Sequence, residues 1–483
     1  MANLKKNFIY QTAYQILATA LPLITSPYIS RVIGASGLGV YSYTSSIATY
    51  FMLFAMLGVN NYGSRSIALV SHDRKERSEV FCEIYTLQLI LTAVATSVYI
   101  LYVVVFPVQN RIIALIQAIG IINCFLDINW LYFGLEKIKI TVTRNIVVKL
   151  FTIVCIFAFI HDSKDLWIYT LIMTSSTLVS EIVLLVNLKE NVDFVKVELK
   201  AVFKHLKPNF LLYIPILALS IYHYMDKTML GILSTYEQTG YYYNVDKVIN
   251  IPMGVINGMG TVMLPRASVL VKEGGGKKMI SLFKKSFELV FFLSSAIVFG
   301  ILAISNEFTT WFFGKEYYPC IALLNVLTIV VFFKSISQTV RTQYLIPSMK
   351  NKEYIVAIGS GAVINFIINY ILILQIGAMG TVIGTVISEA FVCVWHLWDT
   401  RKDLPVAKLL LPNTFYVLAG LVMYIVVRLF VLNVAINNQT VQVVSETLVG
   451  ACVYLTLCLL YWFGTKKGLF YETLKGKFLS KRG

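Results

Sequence analysis

Residues 208–271 read PNFLLYIPILALSIYHYMDKTMLGILSTYEQTGYYYNVDKVINIPMGVINGMGTVMLPRASVLV. Two apolar runs, each long enough to cross a bilayer as helix, hold Asp226 and Lys227 in the first and Asp246 and Lys247 in the second. A charge at membrane depth costs on the order of a few kcal/mol, so it faces a bundle interior or a water-filled cavity and marks a pathway or a partner. The stretch also has an earlier copy. A shift of 201 residues lays Gly240 on Gly39, Tyr242 on Tyr41, Arg266 on Arg65, Leu270 on Leu69 and Val271 on Val70 without a gap. Two related helical lobes are expected.

Outward from this stretch, apolar runs of about twenty residues recur from end to end. Fourteen fall between residues 8 and 463, beginning with 8–32 and 39–61, including 208–232 and 240–265, and ending with 410–432 and 441–463. Of the 483 residues, 57% are hydrophobic and 14% charged, too little polar surface to cover a soluble globule. Strand-like alternation is missing, which argues against a barrel. The expected fold is an all-α polytopic membrane protein of about fourteen transmembrane helices. One six-helix lobe covers 1–187, a cytoplasmic linker 188–207, and a second six-helix lobe 208–400, the pseudo-symmetric lobes enclosing a central cavity. Two extra helices and a basic tail complete the chain over 401–483.

The net charge of +16 follows membrane sidedness and does not point to nucleic acid. With the N-terminus cytoplasmic, inner loops and tails hold 32 of the 41 Lys and Arg, whereas outer loops hold only Arg31, Arg111, Lys164 and Lys315. Both termini are therefore expected in the cytoplasm. Lys5 and Lys6 imitate a signal peptide, but the following run is long and lacks a clear cleavage site, so a retained first helix is expected. The seven cysteines are scattered without a CxxC pair and read as small core residues. The five histidines are dispersed. No catalytic residue, metal site or cofactor is expected. Gly274-Gly275-Gly276 lacks the preceding strand and the Lys-Ser or Lys-Thr of a phosphate loop, and reads as a turn.

Several charges have both a structural and a functional reading. Pro22 and Pro27 should kink the first helix, and Arg31 either snorkels to the outer interface or lines an outward vestibule. Arg31 precedes Gly34 by three residues and Lys227 precedes Gly231 by four, which puts a cation at nearly the same depth in both copies. Arg65 and Arg266 stand at matching inner exits, either as ordinary positive-inside residues or as first contacts for an anion, for which a guanidinium fork suits phosphate. Asp226 lies about 9 Å from the outer end of its helix and Lys247 about 10 Å from Gly240, so the two are level. They, or Lys227 and Asp246, either bridge neighbouring helices or divide the work of binding an anionic group and exchanging a proton or sodium ion. Lys334 and Arg428 are the single cations of their helices; Lys334 is a candidate for the second-lobe side of the cavity. Ser180-Glu181 recurs as Ser388-Glu389, 208 residues on, closing both lobes.

The segment 111–134 ends in LDINWLYFGLEKIK, Leu126 to Lys139, followed by Arg144-Asn145 and Lys149. Asp127 and Lys149 sit about 10 Å and 8 Å inside the cytoplasmic end, so an ion pair between them is geometrically reasonable, either as a clamp or as a substrate contact. Asp127, Trp130, Gly134, Glu136, Lys137, Arg144, Asn145 and Lys149 resemble the signature of bacterial oligosaccharide repeat-unit flippases. These form the Wzx, or polysaccharide transporter, branch of the multidrug/oligosaccharidyl-lipid/polysaccharide exporter superfamily. The likeness extends to Asp226 with Gly231, Gly240-x-Tyr242 and Pro265-Arg266. It implies a bacterial cytoplasmic membrane protein that binds undecaprenyl-diphosphate-linked oligosaccharide within the lipid bilayer and moves it by alternating access for capsule, O-antigen or similar surface polysaccharide. It leaves open whether H+, Na+ or no ion drives transport, and it makes a polymerase of the same pathway a candidate partner. The last two helices are, by the same resemblance, a side groove for the lipid tail.

Two other classes compete. A multidrug antiporter of the same superfamily would favour acidic and aromatic lining over paired Lys and Arg. A membrane polysaccharide polymerase would call for a sizeable extramembrane loop with catalytic groups, yet the longest outer connections are about fifteen residues in this reading of the spans. Arg31, Arg65, Lys227, Lys247, Arg266 and Lys334 are therefore the expected substrate-binding cations. Asp226, Asp246, Asp127 and Lys149 are the expected ion-coupling or ion-pair residues.

Overall fold

The computed structural model describes residues 2–106, 108–274 and 276–466. The basic tail expected over Lys466–Arg482 lies outside the described residues apart from Lys466, as does Gly275 of the glycine run. The described chain contains helices and turns, with no strand. Twelve helical stretches among the described residues are long and apolar enough to cross a membrane. The protein is a multi-pass membrane protein, and its surface carries the broad apolar exposure that lipid contact requires. The chain divides into two compact units, residues 1–243 and 244–483.

Unit 1 begins with α1 (Ala2–Met56), which joins the expected segment 8–32 and most of 39–61 in one helix interrupted at a single residue. Gly34, at φ 75° and ψ 170°, makes that break, while Pro22 and Pro27 stay within helix. Glycine enters this region without the Cβ penalty, so one residue suffices where a loop was expected. After α2 (Val59–Leu69) and α3 (Arg74–Val105) the expected segment 111–134 is divided into α4 (Arg111–Ile122), a 3-10 turn at Asn123–Phe125 and α5 (Asn129–Gly134). Broken helix is tolerated at membrane depth only where other groups satisfy the backbone. Gln88 of α3 does this: its Nε2 donates to the carbonyls of Cys124 at 2.6 Å and Asp127 at 2.8 Å, and its Oε1 accepts from Trp130 Nε1 at 3.0 Å.

Around this break Trp130, Tyr132, Phe81 and Ile67 form a fully buried cluster. α6 (Ile138–Phe159) and α7 (Leu166–Val186) follow. The stretch 188–207 contains a 3-10 turn and the short α8 (Leu199–Phe203), and it is strapped to the base of α3. Arg74 grips Asp193 with two bonds of 2.8 Å and also donates to the Lys189 carbonyl, while Arg77 donates to the Asn191 carbonyl. The Arg74 guanidinium holds the Asp193 carboxyl below the usual carboxylate range. α9 (Leu206–Leu233) then packs on α1 and α2, and α10 (Tyr236–Lys272) begins in unit 1 and continues into unit 2.

Unit 2 contains α11 (Gly276–Phe312), α12 (Pro319–Leu327), α13 (Val330–Val340), α14 (Asn351–Ile376) and α15 (Ala378–Thr400). The expected segment 320–340 is thus also broken, between α12 and α13. The short α16 (Val406–Leu410) leads to α17 (Thr414–Asn433) and α18 (Gln439–Thr465), the two helices beyond the expected repeat, and both pack on α11. Polar bonds fix that packing. Tyr416 Oη donates to Glu288 at 2.9 Å, Trp462 Nε1 donates to Tyr416 Oη at 2.8 Å, and Arg428 meets Glu307 at 3.0 Å. Such bonds between membrane helices are worth about 0.6–2 kcal/mol each, enough to help set the register of the three helices.

Candidate functional site

Within unit 1, α9 presents Asp226 and Lys227 to the first turns of α10. Tyr242 Oη donates to Asp226 Oδ2 at 2.6 Å, and Asp226 is 5% exposed. Lys227 Nζ lies 5.7 Å from the centroid of the Tyr243 ring, within cation–π range. Further rings surround this level: Tyr243 meets Tyr41 at 6.2 Å and Tyr224 meets Tyr50 at 6.4 Å, both edge to face. A carboxylate and an ammonium at membrane depth are therefore held among tyrosines from α1, α9 and α10.

Residues of the break before α5, of α5 itself, of α6 and of α7 form a second constellation. Arg144 donates to Glu181 at 3.4 Å, to Asn129 Oδ1 at 3.1 Å and to Asn145 Oδ1 at 2.8 Å. Asn129 Nδ2 donates in turn to Asp127 at 2.7 Å and to both oxygens of Glu181 at 3.1 Å. Ser180 Oγ completes it by donating to Asn145 Oδ1 at 3.0 Å. Four segments are thereby tied together by one guanidinium and two carboxylates, with the Arg144 and Glu181 side chains 4% and 12% exposed. Asp127, expected beside Lys149, takes Asn129 as a partner through both its side chain and its backbone N–H. Lys149 is half-buried on α6.

Unit 2 repeats part of this plan. Lys334 Nζ of α13 lies 3.5 Å from Glu389 Oε1 of α15, so each Ser-Glu pair of the sequence repeat supplies a carboxylate to a cation on another helix of its own unit. Asp246 accepts from Asn250 at 2.9 Å one turn along α10, and Lys247 is half-buried beside it. Arg266 is exposed toward the far end of α10. In unit 1, Arg31 and Arg65 are likewise exposed. Sequence reasoning singled out the charges in apolar runs. It missed Arg144 and Lys334 as partners of Glu181 and Glu389, for which the repeated Ser-Glu pair was the available signal.

Backbone contact closes one end of unit 1. Seen from Gly39, a Cβ would stand 1.7 Å from the Tyr236 carbonyl oxygen and 3.0 Å from Gly240 N; from Gly240 it would stand 1.9 Å from the Ala35 carbonyl oxygen. The two glycines matched by the 201-residue shift therefore lie against each other's helix at the end of the unit remote from the basic connections.

The described chain is thus a helical membrane bundle with a charged pair tying helices together in each unit, a fourth expected span that is broken, and close contact of the helices that carry Gly39 and Gly240. The solved structures agree on the fold. The chain superimposes on "Lipid II flippase MurJ, inward closed conformation" with a TM-score of 0.74 at 14% identity, covering 95% of this chain and all of that one. It matches an inward-facing multidrug resistance MATE family transporter of the MOP superfamily with a TM-score of 0.57 at 15% identity, over 81% of this chain and 98% of that one. Residues 4–271, more than half of the chain, match the family of polysaccharide biosynthesis proteins, and the chain belongs to that family. Two relatives carry the name "Putative O-antigen transporter". That of Escherichia coli (strain K12) is 22% identical over 405 residues, 83% of this chain and 97% of its own length. That of Shigella dysenteriae is 22% identical over 82% of this chain and 99% of its own.

Proposed function

We propose that the protein is a flippase that carries undecaprenyl-diphosphate-linked oligosaccharide repeat units from the inner to the outer leaflet for surface polysaccharide synthesis. The observation that carries this reading is the conjunction of a polysaccharide biosynthesis family with the fold of a lipid II flippase. The names of the two relatives support it. No covalent chemistry is needed, so the protein acts as a transporter and not as an enzyme.

In this proposal both termini are cytoplasmic, as the distribution of Lys and Arg favours. Two lobes, 1–187 and 208–400, joined by the linker 188–207, rock about a wet central cavity, and the helices of 401–483 flank them. Diphosphate and sugars are too polar to cross hydrocarbon unaided. Lys227, Lys247 and Lys334, with Arg31, Arg65 and Arg266 toward the two exits, neutralise the phosphates in transit, while the lipid tail remains in the bilayer. Asp226 or Asp246 exchanges a proton or sodium ion with each cycle.

The competing reading, a multidrug antiporter, draws on the MATE-like fold. A deletion strain separates the two. The flippase reading expects loss of surface polysaccharide and accumulation of the lipid-linked repeat unit inside the cell, both reversed by the intact gene. An unchanged polysaccharide together with retention of cationic dyes in the deletion strain would favour the antiporter.

A further inference from the structure

A cavity of about 710 Å³ lies within unit 1 at the end remote from the basic connections. It is about the size of small-molecule sites, which span roughly 300–1,000 Å³. Three tyrosines from three helices line it: Tyr43 of α1, Tyr102 of α3 and Tyr236 at the start of α10. The rings of Tyr43 and Tyr236 stand 5.7 Å apart at 49°. Ser36, Gln109 and Glu237 supply hydroxyl, amide and carboxylate groups to the same space. No Lys, Arg or His is among the described residues that line it.

Tyrosines at a bilayer interface often do no more than anchor a helix among headgroups. Here the three rings line one open cleft and share it with uncharged and acidic hydrogen-bonding groups. That set suits a ligand with apolar C–H faces and many hydroxyls, and it does not suit a phosphate. Gly231, which also borders the cavity, lies one helical turn beyond Lys227, about 6 Å along α9. An ammonium therefore sits one turn deeper in the membrane than the aromatic shelf.

We propose that this cavity is a saccharide-binding site, in which the sugars next to the diphosphate stack on Tyr43 and Tyr236 and hydrogen-bond Gln109 and Glu237. The inference rests on the transport reading for the identity of the cargo, and it assigns the sugars and the phosphates to different levels of α9. Selection among repeat units then lies partly in this unit, at the shelf, and not only at the cations that any polyprenyl diphosphate would satisfy.

Saturation-transfer NMR tests it, using the full chain in nanodiscs free of glycoside detergent. The probe is the repeat-unit oligosaccharide released from the host's own lipid-linked intermediate by mild acid and freed of phosphate. Transfer to sugar ring protons is expected with the wild-type chain and with Tyr43→Phe/Tyr236→Phe, which keeps both rings. With Tyr43→Ala/Tyr236→Ala the affinity should fall about tenfold or more, the loss expected from removing two stacking rings. Absence of transfer to the wild-type chain, or equal affinity in the alanine variant when its thermal unfolding matches the phenylalanine variant, would overturn the proposal. Complementation keeps the two readings apart: failure of the wild-type gene to restore polysaccharide in the deletion strain sinks the transport reading, whereas full export by the alanine variant sinks only the saccharide site.

Discussion

Arg144 shows how much one buried cation organises. Its guanidinium serves Glu181, Asn129 and Asn145, and with it removed Glu181 stays 12% exposed without a charge partner. Breaking such a pair from one side costs about 3–5 kcal/mol, while removing both charges costs less because no buried ion is left behind. Arg144→Ala should therefore lower the unfolding temperature of the purified protein in nanodiscs far more than Arg144→Ala/Glu181→Ala does. A single variant as stable as the wild type would show that the network holds nothing together. At this scale the sequence was informative about isolated charges and uninformative about their partners. Asp226 and Lys227 are conspicuous because their neighbours are apolar. That Tyr242 binds Asp226 and Tyr243 underlies Lys227 depends on how two helices turn toward one another, which no spacing within either helix contains.

At the level of helices, the 201-residue repeat marked Gly39 and Gly240 as equivalent positions, and the structure brings them against one another's helix. A Cβ at either position would come within 1.7–1.9 Å of a backbone oxygen, so even alanine must push the helices apart. Gly39→Ala or Gly240→Ala is expected to leave the end of unit 1 remote from the basic connections less often closed. In a cysteine-free background, labelling of Ser42→Cys, a position on α1 that is buried in the structure, by an impermeant maleimide added outside whole cells should rise several-fold in either alanine variant. Unchanged labelling would mean that the contact is not a closure. The break between α4 and α5 gives a second expectation. Gln88→Leu removes the donor to two carbonyls and the acceptor for Trp130, and each group left buried and unsatisfied costs about 1–3 kcal/mol. A clear drop in unfolding temperature should follow, and none should if water replaces the amide. Neither break was legible beforehand. Hydropathy registers the apolar run of 111–134 and says nothing of a buried glutamine on another helix that makes unwinding affordable.

For the whole molecule, composition and run length were enough to establish a polytopic helical membrane protein. The reading of fourteen spans meets twelve long apolar helical stretches among the described residues, one of which, Leu21–Leu69, takes in the second expected segment and the end of the first. The seventh expected segment, 208–232, falls on α9, a helix of 28 residues. The division into units at Tyr243 and Asn244 was not visible in the sequence, because it cuts through a continuous helix and follows packing of α9 and the head of α10 on α1. The central claim is that the cations buried in the membrane carry a phosphorylated lipid headgroup across it. Its most direct test is translocation of the host's fluorescently tagged lipid-linked repeat unit in proteoliposomes, read by reagent access to the headgroup in the outer leaflet. The account predicts flipping by the wild-type chain and loss of at least about tenfold in rate for Lys227→Ala/Lys247→Ala, the equivalent of 1.4 kcal/mol at the barrier. Flipping by that double variant at the wild-type rate would contradict it.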